Sequence, residues 1–403
     1  MVRSPVVRAP RNVGRGARLA WSTIIIRLAA TAITVLTWGR RLGAVVSASQ
    51  AETVQPWVRA RAAEALPVSA GLVPPRAADV IRCQARRVNA YLDSSGRPDK
   101  ISGGARMIPV DTPKGRFRVW TKRIGNSPRI KLLLLHGGPG ITHEYLEPCD
   151  SWLPAAGVEY YYYDQLGSHY SDQPDDPDLW EIDRFVDEVE QVRAALGLDP
   201  SNFFLYGQSW GGLLALEYAL AHQDKLKGLI ISNMMASVPA YNDYAATVLM
   251  PQMNQDALAE IKRLEATGET ENPRYEELLM EHYYRHHLLR MPPDEWPEPV
   301  TRSMSHLNRS IYLPMQGPSE LGASGKLQDW DRSADLPRVH VPTLVMGAAH
   351  DTMDPAHLEA MAHQLPSGRY HHCPNGSHFA HIDDQQTYFE GLLSFLHDVD
   401  ESS

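Results

Sequence analysis

Phe203 to Leu220 reads FFLYGQSWGGLLALEYAL. Its first four residues are a short apolar run of strand type, and the last eight or nine favour helix. Between them lies Gly207-Gln208-Ser209-Trp210-Gly211, a G-x-S-x-G pentapeptide. A serine on a sharp strand-to-helix turn is lifted above the sheet edge, and glycines two residues before and after it relieve the crowding. Gly212 leaves further room for the helix to pack. Because the strand and the helix are both in place, the pentapeptide makes Ser209 the predicted nucleophile.

The pattern extends in both directions. Ile130–Leu135 (IKLLLL) is a continuous apolar run, as in a strand covered on both faces, and it ends in the turn His136-Gly137-Gly138-Pro139-Gly140. Val158–Tyr163 reads as the next strand and closes in Asp164-Gln165-Leu166-Gly167. Arg116–Thr121 alternates as a half-buried strand does. Ile182–Leu196 places Phe185, Val186, Val189, Val192 and Leu196 at helical spacing. Helix is predicted over Leu213–Ala221 and strand over Leu229–Ser232. Further on, strands at Val341–Met346 and Arg369–His372 alternate with helices at His357–Leu365 and Gln385–Val399. This alternation predicts an α/β fold: a mostly parallel sheet with helices on both faces. No internal repeat is present.

Residues 237–328 break the rhythm. They lack buried strand runs and carry helical stretches at Ala257–Glu265 and Tyr275–Leu289, which predicts an inserted helical cap. The expected organisation is a basic extension over 1–85, the core over 86–236 and 329–403, and the cap between.

A serine hydroxyl is a weak nucleophile that needs a general base, and the base needs an orienting carboxylate. On this kind of fold the acid follows a late strand and the histidine comes last. Asp351 and Asp354 both follow Val341–Met346. Asp351 lies nearer the strand end, whereas Asp354 precedes Pro355 and a helix and suits an N-cap. Asp351 is therefore preferred. Four histidines crowd the end of the chain. His371 and His372 fall on the strand itself, where side chains are held within the layers, and His381 falls at the start of the last helix. His378 is the loop residue and the expected base. Acyl transfer also needs backbone N–H groups facing the developing oxyanion. Trp210, directly after the nucleophile, supplies one, and Gly138 in the HGGPG turn supplies the other.

Composition narrows the partners. The 403 residues are 43% hydrophobic and 22% charged, which excludes a disordered or collagen-like chain and a polytopic membrane protein. Three widely spaced cysteines (Cys83, Cys149, Cys373) build neither a disulfide framework nor a zinc site, and no HExxH occurs. The net charge of −9 is uneven. Residues 1–84 hold twelve arginines, no lysine and three acids, so the body is strongly acidic. An acidic body argues against nucleic acid as partner. In the arginine-rich head, residues 21–38 are mostly apolar with Arg27 near the middle. Four readings stand: a signal peptide, an organellar transit peptide, a membrane anchor with Arg27 on its polar face, and a disordered extension. The localisation follows whichever holds, on a body of cytoplasmic type. The oligomeric state is not legible.

Taken together, HGGPG, GQSWGG and the downstream Asp and His resemble the proline iminopeptidase family of α/β-hydrolases. YDQLGSHYSDQP (163–174), YYRHHLLRMPPDEWPE (283–298) and MQGPSE (315–320) resemble further family motifs. The resemblance spans about residues 100–398. It implies an α/β-hydrolase fold with a cap and a serine aminopeptidase that removes N-terminal residues, often proline, from short peptides without metal or cofactor. It also implies that Glu320 holds the substrate's free amine. An amino-acid amidase or esterase with the same triad is the alternative, and a non-catalytic hydrolase-fold binding protein the second alternative. Many members carry Glu after the catalytic Asp, where this chain has Thr352. Gln316 and Leu321 replace a family Asn and Phe. Loss of a second carboxylate weakens amine recognition and favours amide or ester substrates. Cap aromatics such as Trp296 and Trp330 either line the pocket or pack the cap.

Overall fold

The structure is a computed structural model, and it describes residues 104–402. The arginine-rich head with its apolar stretch at 21–38, and residues 86–103 of the first core segment, lie outside the described residues. Among the described residues no helix is long and apolar enough to cross a membrane.

Eight strands form one sheet: β1 (Ala105–Thr112), β2 (Gly115–Ile124), β3 (Lys131–Leu135), β4 (Glu159–Asp164), β5 (Phe203–Gln208), β6 (Gly228–Ser232), β7 (Thr343–Ala348) and β8 (Gly368–Cys373). Their order is β1-β2-β4-β3-β5-β6-β7-β8. The β1–β2 and β2–β4 pairs are antiparallel and the rest parallel. Helices α1 (Ile182–Leu196), α2 (Trp210–His222), α3 (Gln255–Ala266), α4 (Pro273–Leu279), α5 (Glu298–Ser305), α6 (Arg309–Met315), α7 (Pro355–Gln364) and α8 (Gln385–Glu401) complete the elements used below.

Strand periodicity explains the layers. Leu133, Leu135, Phe203, Leu205, Leu229 and Val345 point to one face, where α1, α2 and α7 cover them. Their neighbours Leu132, Leu134, Phe204, Tyr206, Ile230 and Leu344 point to the other face and pack on α8. Both sets are buried, so the central strands read as unbroken apolar runs. β1 is different. It is an edge strand containing Pro109, which pairs with Arg118 but has no N–H to donate. Its mixed sequence carries no strand signal and was not expected.

Between β6 and β7 the described chain is helical, and an antiparallel bridge of Ser237 with Asp331 joins the two ends of this insertion. The insertion has its own apolar cluster, including Leu258, Ile261, Leu278, Leu279 and Tyr283. The single helix expected over Tyr275–Leu289 is broken. α4 ends at Leu279, and a wider π turn runs from Met280 to Tyr284. That turn lets the adjacent Tyr283 and Tyr284 both reach the backbone of Glu320, which two neighbours on a regular helix, about 100° apart, do not readily do.

Candidate active site

Ser209 sits between β5 and α2 with φ +56°, outside the regions non-glycine residues favour. Such a conformation costs about 1–3 kcal/mol and persists only when neighbours enforce it. Two glycines make the turn feasible. A Cβ on Gly207 would lie 1.9 Å from the Gly211 carbonyl oxygen, and one on Gly211 would lie 2.2 Å from that of Leu135. The register of Leu135 opposite Gly207 brings the end of β3, and with it the HGGPG turn, beside the elbow.

Of the two acid candidates, Asp351 is fully enclosed and accepts a hydrogen bond from His378 Nδ1 at 2.7 Å. Its other oxygen accepts from Asn233 Nδ2 at 2.6 Å. Asp354 instead caps α7 by accepting from the Ala356 N–H at 3.0 Å. Burial pushes the His378 imidazole down. The charge and hydrogen bond of Asp351, joined by the charge of Glu320, outweigh it and hold the ring above the ordinary histidine value. The other histidines are placed elsewhere. β8 is an edge strand, so His372 is exposed rather than held between layers, and His371 Nε2 bonds the Thr387 carbonyl at 2.8 Å. His381 lies in a short helix (Ala380–Asp383) before α8, bonded to the Tyr145 carbonyl, and burial pushes it down to about 3.

Ser209, Gly138, His378 and Glu320 all line one cavity of about 640 Å³. Gly138 has φ +103°, a glycine conformation. Among the described residues neither its N–H nor that of Trp210 is taken by another protein group. Both remain available to an oxyanion.

Glu320 is held by four tyrosines of the cap. Its carbonyl accepts from Tyr241 and Tyr283, its N–H donates to Tyr284, and its Oε1 accepts from Tyr312 at 2.5 Å. Oε2 carries no protein hydrogen bond among the described residues. Burial raises this carboxyl, against the lowering effect of the His378 charge and the Tyr312 bond. Thr352 does not line the cavity. It is buried with its hydroxyl 3.1 Å from His378 Nδ1, so it braces the imidazole instead of meeting substrate. Trp296 lines the cavity, whereas Trp330 packs at the neck of the insertion with its indole N–H on Glu217.

Several residues of the site escaped sequence reasoning. Tyr145 accepts from the Gly137 N–H at 2.8 Å and donates to Gln208 Oε1 at 2.7 Å. Gln208 Nε2 donates to the His378 carbonyl at 3.0 Å. Two side chains in series thus tie the HGGPG turn to the histidine loop. Gln165 ties the same turn to the residue after Ser209, accepting from the Trp210 indole at 2.8 Å and donating to the His136 carbonyl at 3.2 Å. The x of GQSWG and the Gln of DQLG marked these two positions, but no spacing revealed their partners. Gln208→Leu is expected to lower the unfolding free energy by about 2–4 kcal/mol, because two buried groups lose bonds at about 1–3 kcal/mol each. Denaturant unfolding would measure it, and an unchanged midpoint would show the bonds to be idle.

Residues 131–385 match the α/β-hydrolase fold family. The proline iminopeptidase of Flavobacterium johnsoniae is 53% identical over 295 residues, covering 73% of this chain and 99% of that protein. The chain belongs to the proline iminopeptidase family of α/β-hydrolases. Another member, from Elizabethkingia meningoseptica, is 53% identical over 299 residues, covering 74% of this chain and 99% of its own. The crystal structure of a proline iminopeptidase from Mycobacterium smegmatis superposes with a TM-score of 0.65 at 29% identity, covering 74% of this chain and 99% of that one. Among the described residues no group of three or more His, Cys, Asp or Glu side chains is arranged to hold a metal ion.

Proposed function

We propose that the chain is a serine aminopeptidase that releases an N-terminal residue, proline above all, from short peptides. The supporting observation is one cavity that holds Ser209, His378 and the free carboxylate oxygen of Glu320. Glu320 receives the substrate's ammonium group and sets the first residue against Ser209. His378, its Nδ1–H held on Asp351, uses Nε2 to take the Ser209 proton as the hydroxyl oxygen attacks the first carbonyl. The Gly138 and Trp210 N–H groups receive the oxyanion. His378 then passes its proton to the leaving amine. Water, deprotonated by the same imidazole, hydrolyses the acyl-enzyme and frees Ser209. Because the ammonium must reach a carboxylate walled by Tyr241, Tyr283, Tyr284 and Tyr312, only the first peptide bond falls at the nucleophile.

Two measurements test this. Prolyl β-naphthylamide should be cleaved about thirtyfold to several-thousandfold faster than its N-blocked counterpart, since a charge-assisted bond lost with its partner left buried costs about 2–5 kcal/mol. A fluorophosphonate probe should label the wild type and fail to label Ser209→Ala. Equal rates on free and blocked amines would transfer the chain to the amidase or esterase reading. Failure to label at all would leave a binding protein.

A further inference from the structure

The cavity carries charges the chemistry above does not use. Its lining includes Glu271, just before α4, and Glu276 on α4, together with Glu320. The same lining includes one arginine, Arg309, the first residue of α6, and Glu271, Glu276 and Arg309 are all exposed at it. Among the described residues the Arg309 side chain makes no hydrogen bond and no ion pair, and Glu271 and Glu276 pair with no cation. Opposite charges therefore share one cavity without neutralising each other.

The position of Arg309 is fixed by its neighbour. The Asn308 N–H donates to the Gly140 carbonyl at 2.9 Å, and Asn308 Nδ2 donates to the Gly167 carbonyl at 2.8 Å. The first turn of α6 is thereby held against the oxyanion turn. Tyr312, three residues further along and on the same helix face, meets Glu320. α6 thus carries both Tyr312, which meets the carboxylate proposed to take the ammonium, and Arg309 at the end held against the HGGPG turn, and both line the cavity. A dipeptide extends about 7 Å between its termini, and an arginine side chain covers a similar distance. With its ammonium on Glu320 and its first carbonyl at Ser209, a short peptide projects its leaving part beyond the nucleophile. On that lining the charges of Glu271 and Glu276 repel a carboxylate, and that of Arg309 attracts one.

We infer that Arg309 is a specificity residue that binds the free C-terminal carboxylate of the leaving portion, so that the cavity selects zwitterionic di- and tripeptides over longer or amidated chains. This rests on the reading of Ser209 and Glu320 given above. Guanidinium suits the task because its planar fork meets a carboxylate with two parallel bonds.

The test uses the full chain and compares kcat/KM for prolylglycine with that for prolylglycinamide, and for the corresponding prolyl-glycyl-glycine pair. Taking the acid-to-amide ratio within one enzyme preparation cancels differences in folded fraction. The wild type should favour the acids about five- to tenfold, the range for a partly exposed charge-assisted pair. Arg309→Gln should bring the ratio near one, and Arg309→Lys should restore part of it. Raising salt should shrink the wild-type ratio and leave that of Arg309→Gln alone. A wild-type ratio near one, or a ratio unaffected by Arg309→Gln, overturns the inference while prolyl β-naphthylamide turnover still supports the proposed reaction. Loss of all prolyl turnover in the wild type overturns both.

Discussion

Asp351→Asn is expected to cut kcat on prolyl β-naphthylamide about ten-thousandfold, the loss typical when a triad carboxylate becomes an amide. The reason lies in its donors. One oxygen accepts from His378 Nδ1 and the Met353 N–H, the other from Asn233 Nδ2. An amide has one oxygen for these donors, and its NH₂ must face a second NH₂ or the imidazole. When it faces the imidazole, the ring turns to the tautomer with its proton on Nε2, which cannot take the serine proton. Fluorophosphonate labelling should fall in parallel. Asp354→Asn separates the two acids of the sequence. Asn also caps helices well, so that variant should keep kcat within about twofold. A loss under tenfold in Asp351→Asn, or a larger loss in Asp354→Asn, would remove Asp351 from the proposed relay.

Glu320→Gln should lower kcat/KM on free-amine substrates about a hundredfold, because an ammonium in a confined site loses its charge partner. N-blocked substrates should change little. Glutamine keeps an oxygen for Tyr312, so the fold of the cap is preserved. The pH profile offers a second reading. Burial lowers the His378 pKa, while Asp351 and then Glu320 raise it. The imidazole acts only when unprotonated, so kcat/KM climbs as pH rises through its pKa. Removing the Glu320 charge lowers that pKa, and the rising limb should move to lower pH in the variant. A limb that stays in place or moves upward, with free and blocked substrates falling alike, would leave Glu320 as a packing residue only.

Local signals stand in the sequence and remote ones do not. The strands β3, β4 and β5 were legible because burial on both faces writes an unbroken apolar run. β1 was not, since an edge strand needs no such run and tolerates Pro109. The helical insertion was visible as missing strands, but the π turn at Met280–Tyr284 leaves no periodic mark. Thr352 looked from its position like a lost amine ligand. Its side chain turns instead into the protein beside His378. Gln165 and Gln208 stood in plain view inside motifs, with partners dozens of residues or more away in the chain.

What the chain's own order of residues settles is chemistry and turn geometry. Ser209 between its glycines, the HGGPG turn, and the Asp and His that come late are each matters of a few neighbouring residues, where local sterics and burial period act directly. Folding alone decides which of the late acids meets the imidazole. It also decides that four tyrosines from three elements enclose Glu320, and that Arg309 lines the same cavity without a side-chain partner. Those outcomes depend on the packing of elements far apart in the chain, and side-chain partnerships across such distances have no spacing that a linear reading can detect.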